Sequence, residues 1–259
     1  MFVCFKCRAA SGAEKMIIDF HGHLFSEWKG VKGMSTKELI AEMDKNGVAQ
    51  TVVFTMNGYW GDFRHYNDEL IRLTNPYRNR LIPFCTVHPY EVKKAIAELR
   101  RCKIKYGIKG VKFHPWLQGF SVTSDEMLLI AEQAAKLEMT LVFHDGTPPY
   151  CEPLQIANLA GHCPGLKILL GHGGLKDYYL ESVSVVKRFP NVYMGTNPPP
   201  SALEKVSREL NGEKIVFGSD VGFDRYCLRH NLNVIRSLSV APAIKNKIFY
   251  KNAQYLLGN

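Results

Sequence analysis

The stretch GVKFHPWLQGFSVTSDEMLLIAEQAAKLEMTLVFHDG, residues 110–146, contains two short apolar runs separated by a helical pattern. The runs Gly110–Phe113 and Thr140–Phe143 predict strands that are buried on both faces, as in a parallel sheet. The segment Asp125–Glu138 has helical periodicity, and Ser124 with two acidic residues after it marks the start of the helix. The stretch therefore predicts one strand–helix–strand unit with parallel strands.

The same alternation of strand and helix patterns repeats from Met16 to the end of the chain. The predicted strands are Met16–Phe20, Gln50–Thr55, Leu81–Val87, Gly110–Phe113, Thr140–Phe143, Lys167–Leu170, Asn191–Gly195 and Lys214–Gly218. The predicted helices are Thr36–Asn46, Asp68–Asn75, Glu91–Tyr106, Asp125–Glu138, Pro153–His162, Lys176–Phe189, Ser201–Leu210 and Tyr226–Leu238. Eight such units predict an α/β fold, a (β/α)₈ TIM barrel in a single domain, which typically needs about 250 residues.

An open, doubly wound sheet is the alternative arrangement for alternating strands and helices. That fold would place a G-x-G-x-x-G motif or a P-loop after an early strand, and the sequence contains neither. Gly171–Gly174 reads GHGG, which lacks the required spacing. The barrel is therefore the favoured prediction.

The composition is that of an ordinary globular chain, with 46% hydrophobic and 22% charged residues among 259. It excludes a disordered chain, a collagen and a coiled coil. The formal charge of +9 comes from scattered lysines and arginines without an arginine-rich arm, so we expect no nucleic-acid partner. No apolar run approaches the roughly 20 residues that cross a bilayer, so we expect no membrane partner either.

The first fifteen residues precede the first strand pattern, and we expect a disordered leader at 1–15 followed by the barrel at 16–259. The leader contains Cys4 and Cys7, a C-x-x-C pair without the second pair of a zinc site. The seven cysteines are widely spread and odd in number, which favours a reducing, cytoplasmic location over a disulfide framework.

Titratable side chains follow the predicted strands at their carboxyl ends. Since all these ends open on one face of a parallel barrel, the side chains are expected to converge at its catalytic rim. His21 and His23 share one side of the first strand, because residues two apart point the same way. Neutral imidazoles with one carboxylate suit an ion such as Zn²⁺. The converging residues are His21, His23, Lys112, His114, His144, His172 and Asp220.

The motifs at these strand ends resemble the amidohydrolase superfamily, and specifically its second family, which includes aminocarboxymuconate-semialdehyde decarboxylase. The matching segments are DFHGH at 19–23, GVKFHP at 110–115, FHDG at 143–146, GHGG at 171–174 and FGSD at 217–220. The resemblance implies that one divalent metal ion, Zn²⁺ or alternatively Mn²⁺, is held by His21, His23, His144 and Asp220. It also implies that Asp220 accepts or passes on a proton and that His172 stands beside the open coordination position.

Lys112 leaves two interpretations open. In one, Lys112 binds the substrate, together with His114 and Trp116 from the same loop. In the other, it is carboxylated and bridges two metal ions, as in other branches of the superfamily, and His144 with His172 binds the second ion. The loop aromatics, among them Tyr59 and Trp116, indicate a partly apolar pocket for a small molecule.

The resemblance implies an enzyme, and two reactions use the same ligands. The first prediction is a metal-dependent hydrolase of a small ester, lactone or amide, in which the metal activates water. The alternative is a non-oxidative decarboxylase of an aromatic or unsaturated carboxylic acid. Relatives that decarboxylate commonly place arginines near the substrate carboxylate, and Arg64 and Arg225 are the candidates here. The relatives also indicate a homodimer.

Overall fold

The computed structural model of the chain describes residues 16–258, which form a barrel of eight parallel strands, each followed by a helix. The strands are Ile17–His23, Val48–Phe54, Leu81–Pro83, Gly110–Phe113, Thr140–Phe143, Ile168–Leu170, Val192–Gly195 and Ile215–Val216. The helices are Thr36–Asn46, Phe63–Thr74, Val92–Tyr106, Asp125–Lys136, Pro153–His162, Tyr179–Arg188, Pro200–Glu209 and Tyr226–Ser237. The leader expected at 1–15, with Cys4 and Cys7, lies outside the described residues.

Several short elements complete the chain. The two-residue strands Glu27–Trp28 and Val31–Lys32 form a hairpin after the first barrel strand. A one-turn helix, Pro115–Gln118, follows the fourth strand. Three connections contain 3-10 turns, at Asn57–Tyr59, Asn75–Tyr77 and Pro89–Glu91. The C-terminal helical segment consists of Pro242–Asn246, a π turn at Lys247–Lys251 and Asn252–Leu256.

Backbone hydrogen bonds close the strands into a barrel. The first three strands pair in order, as do the fourth to the eighth. The Lys112 N–H donates to Cys85 O at 2.8 Å and joins the third strand to the fourth, while the Phe20 N–H donates to Phe217 O at 2.8 Å and joins the first to the eighth. The predicted (β/α)₈ TIM barrel is confirmed.

Two apolar regions hold the barrel together. The larger lies between the strands and the surrounding helices. The smaller fills the barrel interior, where Phe20, Phe54 and Phe84 meet Leu256 and Leu257 from the C-terminal segment. The Thr140 hydroxyl at the start of the fifth strand donates to Leu256 O at 2.7 Å. The C-terminal segment therefore closes the barrel at the amino ends of its strands.

Local hydrogen bonds explain where the helices begin. Ser35 and Glu38 form the capping box that their spacing predicts, each accepting the other's backbone N–H. The second helix begins at Phe63 rather than at the expected Asp68, because the Asp62 carboxylate accepts the N–H groups of Arg64 and His65 at 3.0 and 3.3 Å. None of the described helices is long and apolar enough to cross a membrane.

Candidate active site

A bulge in the first strand turns two histidines into the barrel. Ile18 and Phe20 already face the interior, so strict alternation would point His21 and His23 outward. The pairing shifts between Asp19 and Gly22, and the first strand uses one residue more than its neighbour over this interval. Such a bulge re-aims the side chains that follow it. As a result, the rings of His21 and His23 lie 5.2 and 5.7 Å from the interior Phe54 ring, between centroids.

His21, His23 and Asp220 converge at the carboxyl end of the barrel. The Nε2 atoms of His21 and His23 lie 3.5 and 3.0 Å from Asp220 Oδ1. Asp220 has a left-handed backbone with φ 63°, and its N–H donates to His21 O at 2.7 Å. Both imidazoles are buried, whereas the Asp220 side chain is 42% exposed. The three ligand atoms lie within 4.8 Å of one another, and no other group of this kind converges in residues 16–258.

His144 lies in a second group beside these three residues. Its Nδ1 atom is 2.8 Å from His172 Nε2, and its ring stacks on His114 with centroids 3.7 Å apart. The His172 ring is 4.7 Å from that of His21. The structure therefore brings every predicted histidine to the rim. It leaves His144 outside the trio formed by His21, His23 and Asp220, so the role of His144 as a metal ligand stays a prediction.

Lys112 lies deeper in the barrel, with only 1% of its surface exposed. Its Nζ is 3.1 Å from His21 Nε2 and 5.0 Å from the Phe54 ring centroid. Burial lowers the pKa of Lys112 to about 8, so the ammonium form still predominates at neutral pH. This position places a positive charge beneath the three converging residues. The bridging role of a carboxylated Lys112 in a two-metal site stays a prediction.

Glycines in two of the motifs make room for His21. A Cβ atom added at Gly171 would lie 3.1 Å from His21 Cε1, and one added at Gly218 would lie 2.9 Å from His21 Cβ. Both distances are shorter than ordinary van der Waals contact. Gly218 is therefore required by the close approach of the first strand to the eighth, and Gly171 by the His21 ring together with the Phe143 carbonyl oxygen, which a Cβ atom would approach to 2.6 Å.

Two buried carboxylates connect the strand-end motifs, and the sequence analysis assigned them no role. Asp19 accepts the N–H groups of His21 at 3.1 Å and Ser219 at 3.0 Å, and also the Ser219 hydroxyl. Asp145 accepts the N–H of His172 at 2.7 Å and that of Gly174. Both acidic residues stand within two positions of a predicted ligand, and that adjacency was the available signal.

Burial keeps most of the site's imidazoles in the neutral form that binds metal ions. Burial lowers the pKa values of His21 and His144 well below the usual range. The next largest cause is the charge of Lys112 for His21 and the neighbouring His172 for His144. Burial also lowers the pKa of His172 to about 4. Burial alone would raise the pKa of Asp220, but the hydrogen bond from His23 and the nearby imidazoles hold it well below its usual value. Asp220 is therefore an anion beside the neutral imidazole of His21.

The donor set fits a divalent ion. Zinc–ligand distances of about 2.0–2.1 Å place neighbouring tetrahedral ligands about 3.4 Å apart, close to the 3.0 and 3.5 Å measured from Asp220 to the two histidines. Two buried nitrogens and one carboxylate are also the ligand types that Zn²⁺ and Mn²⁺ accept. His21, His23 and Asp220 would therefore hold such an ion, and the half-exposed face of Asp220 leaves an approach from solvent.

Aromatic side chains cover the approach to the trio. The Phe223 ring lies 5.5 Å from His23 and 5.7 Å from Trp28 of the hairpin, and Trp28 stacks on Trp60 at 5.8 Å between centroids. Trp116, predicted to bind substrate, is 56% exposed, with its ring 6.3 Å from that of His114. Its role as a substrate contact stays a prediction.

The two candidate arginines lie in the first turn of the second helix and directly before the eighth helix. Arg64 is exposed on the second helix, and Arg225 lines a cavity of about 420 Å³ between the hairpin, the first helix and the loop after the eighth strand. Of the cations in residues 16–258, Lys112 is the one whose side chain is fully buried beside the trio.

The chain is similar to a curated decarboxylase and to solved barrel structures. It is 25% identical over 167 residues to the 2-amino-3-carboxymuconate-6-semialdehyde decarboxylase of Dictyostelium discoideum, covering 52% of this chain and 46% of that protein. The match thus spans about half the length of that relative.

Two solved structures share the fold. An uncharacterized TIM-barrel protein from Bordetella bronchiseptica matches with a TM-score of 0.78 and 18% identity, over 94% of this chain and 99% of that one. The 5-carboxyvanillate decarboxylase of Novosphingobium aromaticivorans, complexed with manganese and 4-hydroxy-3-methoxy-5-nitrobenzoic acid, matches with a TM-score of 0.68 and 16% identity, over 85% of this chain and 79% of that one. At these identities the likeness shows the fold alone.

The sequence pattern of the amidohydrolase family matches residues 18–258, nearly the whole chain. This range includes every strand-end motif from which the resemblance was drawn. That resemblance is confirmed, and the chain belongs to the amidohydrolase family of enzymes.

Proposed function

We propose that this protein is a metal-dependent, non-oxidative decarboxylase of a small aromatic or unsaturated carboxylic acid. The observation that carries the proposal is the convergence of His21, His23 and Asp220 at the barrel mouth, in a chain similar to one curated decarboxylase and, in its fold, to 5-carboxyvanillate decarboxylase. The ion proposed is Zn²⁺ or Mn²⁺, because both accept this donor set and one related barrel is complexed with manganese.

The surroundings of the trio suit a flat, anionic substrate. The rings of Phe54 and Phe223 flank His23 at 5.7 and 5.5 Å, and Phe223, which is 39% exposed, offers apolar surface to a planar molecule. The buried Lys112 ammonium, 3.1 Å from His21 Nε2, is a positive group beside the trio that would favour a bound carboxylate. The positive charge of the whole chain acts in the same direction.

The reaction exchanges a carboxylate for a proton. A bound divalent ion would polarise substrate oxygens and acidify water. A C–H bond forms at the carbon that bears the carboxylate, the C–C bond breaks, its electron pair stays with that carbon, and CO₂ leaves. Asp220, half-exposed and anionic, can pass a proton from solvent toward that carbon. His172, buried and neutral beside His144, can donate a hydrogen bond to a substrate oxygen.

The test follows both products of the reaction. Metal-loaded protein is incubated in D₂O with carboxyl-¹³C-labelled aromatic and unsaturated carboxylic acids. We expect labelled CO₂ and one deuterium at the carbon that lost the carboxylate, and neither product in protein stripped of metal by dialysis against a chelator. The absence of CO₂ from the whole acid panel would contradict the proposal.

Hydrolysis, the first prediction from the sequence, uses the same trio and enters the test as a parallel arm. Lactones and esters are offered to the same preparation and acid release is followed by titration at constant pH, while hydrolysis of amides is followed by the amine that they release. Metal-dependent acid release without CO₂ from any carboxylic acid would favour the hydrolase. The homodimer, the cytoplasmic location and the small-molecule substrate stay predictions that these assays complement.

A further inference from the structure

Tyr59 has a buried hydroxyl group that the fold leaves without a partner. It ends the 3-10 turn Asn57–Tyr59 after the second barrel strand, and only 1% of its surface is exposed. Its ring packs with Phe25 and Met56, and it stands edge-on to the His114 ring with centroids 5.7 Å apart. Among residues 16–258, no atom accepts a hydrogen bond from this hydroxyl or donates one to it.

An unpaired phenol at this depth is costly to the free protein. A buried polar group without a hydrogen bond loses its water and gains nothing in return. The hydroxyls of serine and threonine can rotate toward nearby backbone carbonyls, but the Tyr59 hydroxyl is fixed at the end of a rigid ring. A phenylalanine would supply the same packing without this cost. The hydroxyl is therefore best explained by an acceptor that arrives with a ligand.

Ring contacts connect Tyr59 to the histidines of the candidate site. The His114 ring that Tyr59 contacts is stacked on His144, which lies beside His172. Burial is the main cause that raises the pKa of Tyr59 well above its usual value, and the negative charge of Asp220 is the second cause. The phenol is therefore a permanent donor near the anionic end of the trio.

We propose that the Tyr59 hydroxyl donates a hydrogen bond to a carboxylate oxygen of the bound substrate, which makes Tyr59 a residue that selects for anionic substrates. The substrate class in this statement rests on the proposed decarboxylase function, whereas the need for an acceptor rests on the buried hydroxyl alone. His114 is the neighbouring group that can share this contact. Its Nδ1 accepts the Leu117 N–H at 3.4 Å, which leaves Nε2 to carry the ring proton in the neutral form.

The experiment compares zinc-loaded wild type with Tyr59→Phe, using salicylate as the probe and isothermal titration calorimetry as the readout. We expect the Kd of salicylate to rise about tenfold, because a hydrogen bond to a charged acceptor is lost. The Kd of salicylamide, a neutral probe of the same shape, is expected to rise less than about threefold. Tyr90→Phe is the control, since Tyr90 is 56% exposed and its hydroxyl already donates to Gly119 O at 3.4 Å.

Thermal unfolding without any probe separates this role from a structural one. Tyr59→Phe is expected to raise Tm by about 2–4 °C, because it removes an unpaired buried hydroxyl. A hydroxyl that holds the fold together would lower Tm when removed. A lower Tm, an unchanged salicylate Kd, equal losses for both probes, or a wild type that binds no salicylate would each overturn the proposal. If salicylate binds through Tyr59 but no carboxylic acid releases CO₂, the decarboxylase function fails while the anion contact stands.

Discussion

The two ends of the barrel interior differ in the kind of side chain that they bury. At the carboxyl ends of the strands lie imidazoles, carboxylates and one ammonium, and the Nδ1 atoms of His21, His23 and His172 have no hydrogen-bond partner in the described chain. At the amino ends, Leu256 and Leu257 close the interior with apolar contacts, and the polar groups there are paired, as in the Thr140 hydroxyl on Leu256 O. The amino ends of the strands, the lower end of the barrel, therefore contribute stability. The carboxyl ends, its upper end, bury polar groups at a cost in free energy that only function explains.

The largest effect is expected when the two histidines of the trio, at the upper end of the barrel, are removed. In the double variant His21→Ala/His23→Ala, metal content is expected to fall from about one equivalent to below roughly 0.1, because a single remaining carboxylate binds zinc weakly. The far-UV circular dichroism should stay near that of the wild type, since the apolar core lies below the rim. Emission spectrometry on protein purified without chelators measures the metal. Full occupancy of the variant would refute the assignment of the site.

Asp220→Asn tests whether the third member of the trio moves a proton or mainly holds the ion. The amide keeps the shape and one acceptor oxygen but loses the charge. We expect turnover to fall by about 10²–10⁴, the range for loss of a general acid or base. Metal content should persist through the histidines. If metal is lost as well and excess metal restores the rate, Asp220 is a ligand more than a proton carrier.

Leu256→Ala tests the lower end. Leu256 is 2% exposed in the interior cluster, so its truncation is expected to lower the free energy of unfolding by about 2–5 kcal/mol. Metal content per folded chain should not change. Chemical denaturation gives the first quantity and emission spectrometry the second. Leu154→Ala is the matched control at a 57% exposed leucine, with an expected change within about 0.5 kcal/mol. Loss of metal in Leu256→Ala would mean that the two ends are coupled.

The smallest effect is expected for Lys112→Met, which tests the free-energy cost of burying a charge at the upper end of the barrel. Burial lowers the pKa of Lys112 from 10.5 to about 8, so between these values the unfolded chain binds a proton that the folded chain has released. The stability of metal-free wild type should therefore rise with pH relative to Lys112→Met, by about 2 kcal/mol between pH 7.5 and 10. Urea denaturation across this range measures the difference. Parallel curves for the two proteins would show that the pKa of Lys112 is not depressed.

Local patterns in the sequence were sufficient to predict the barrel and to predict which polar residues lie at its rim. Strand Gly110–Phe113 and strand Thr140–Phe143 have the bounds that their apolar runs predict, and the capping box at Ser35 forms as its spacing indicates. The third strand ends at Pro83 and is shorter than the expected Leu81–Val87, and beyond it an isolated bridge, between Cys85 and Val111, continues the pairing with the fourth strand. Such ends depend on pairing between strands, which a local pattern does not contain.

The inward direction of His21 and His23 was decided by tertiary structure. Residues two apart share a side, so the sequence determined that His21 and His23 point the same way. The bulge between Asp19 and Gly22 determined which way, because it arises from pairing with a strand some thirty residues further along the chain. Without it, both rings would face the helices instead of Asp220.

The sequence by itself determined the fold, the family and the set of polar residues at one rim, because strand periodicity and motif order are local properties. Tertiary structure decided which of these residues meet. It grouped His21 and His23 with Asp220, set His144 against His172, and left the Tyr59 hydroxyl buried without a partner. Distances and unpaired groups follow from the packing of strands far apart in the chain, and no pattern within one strand encodes them.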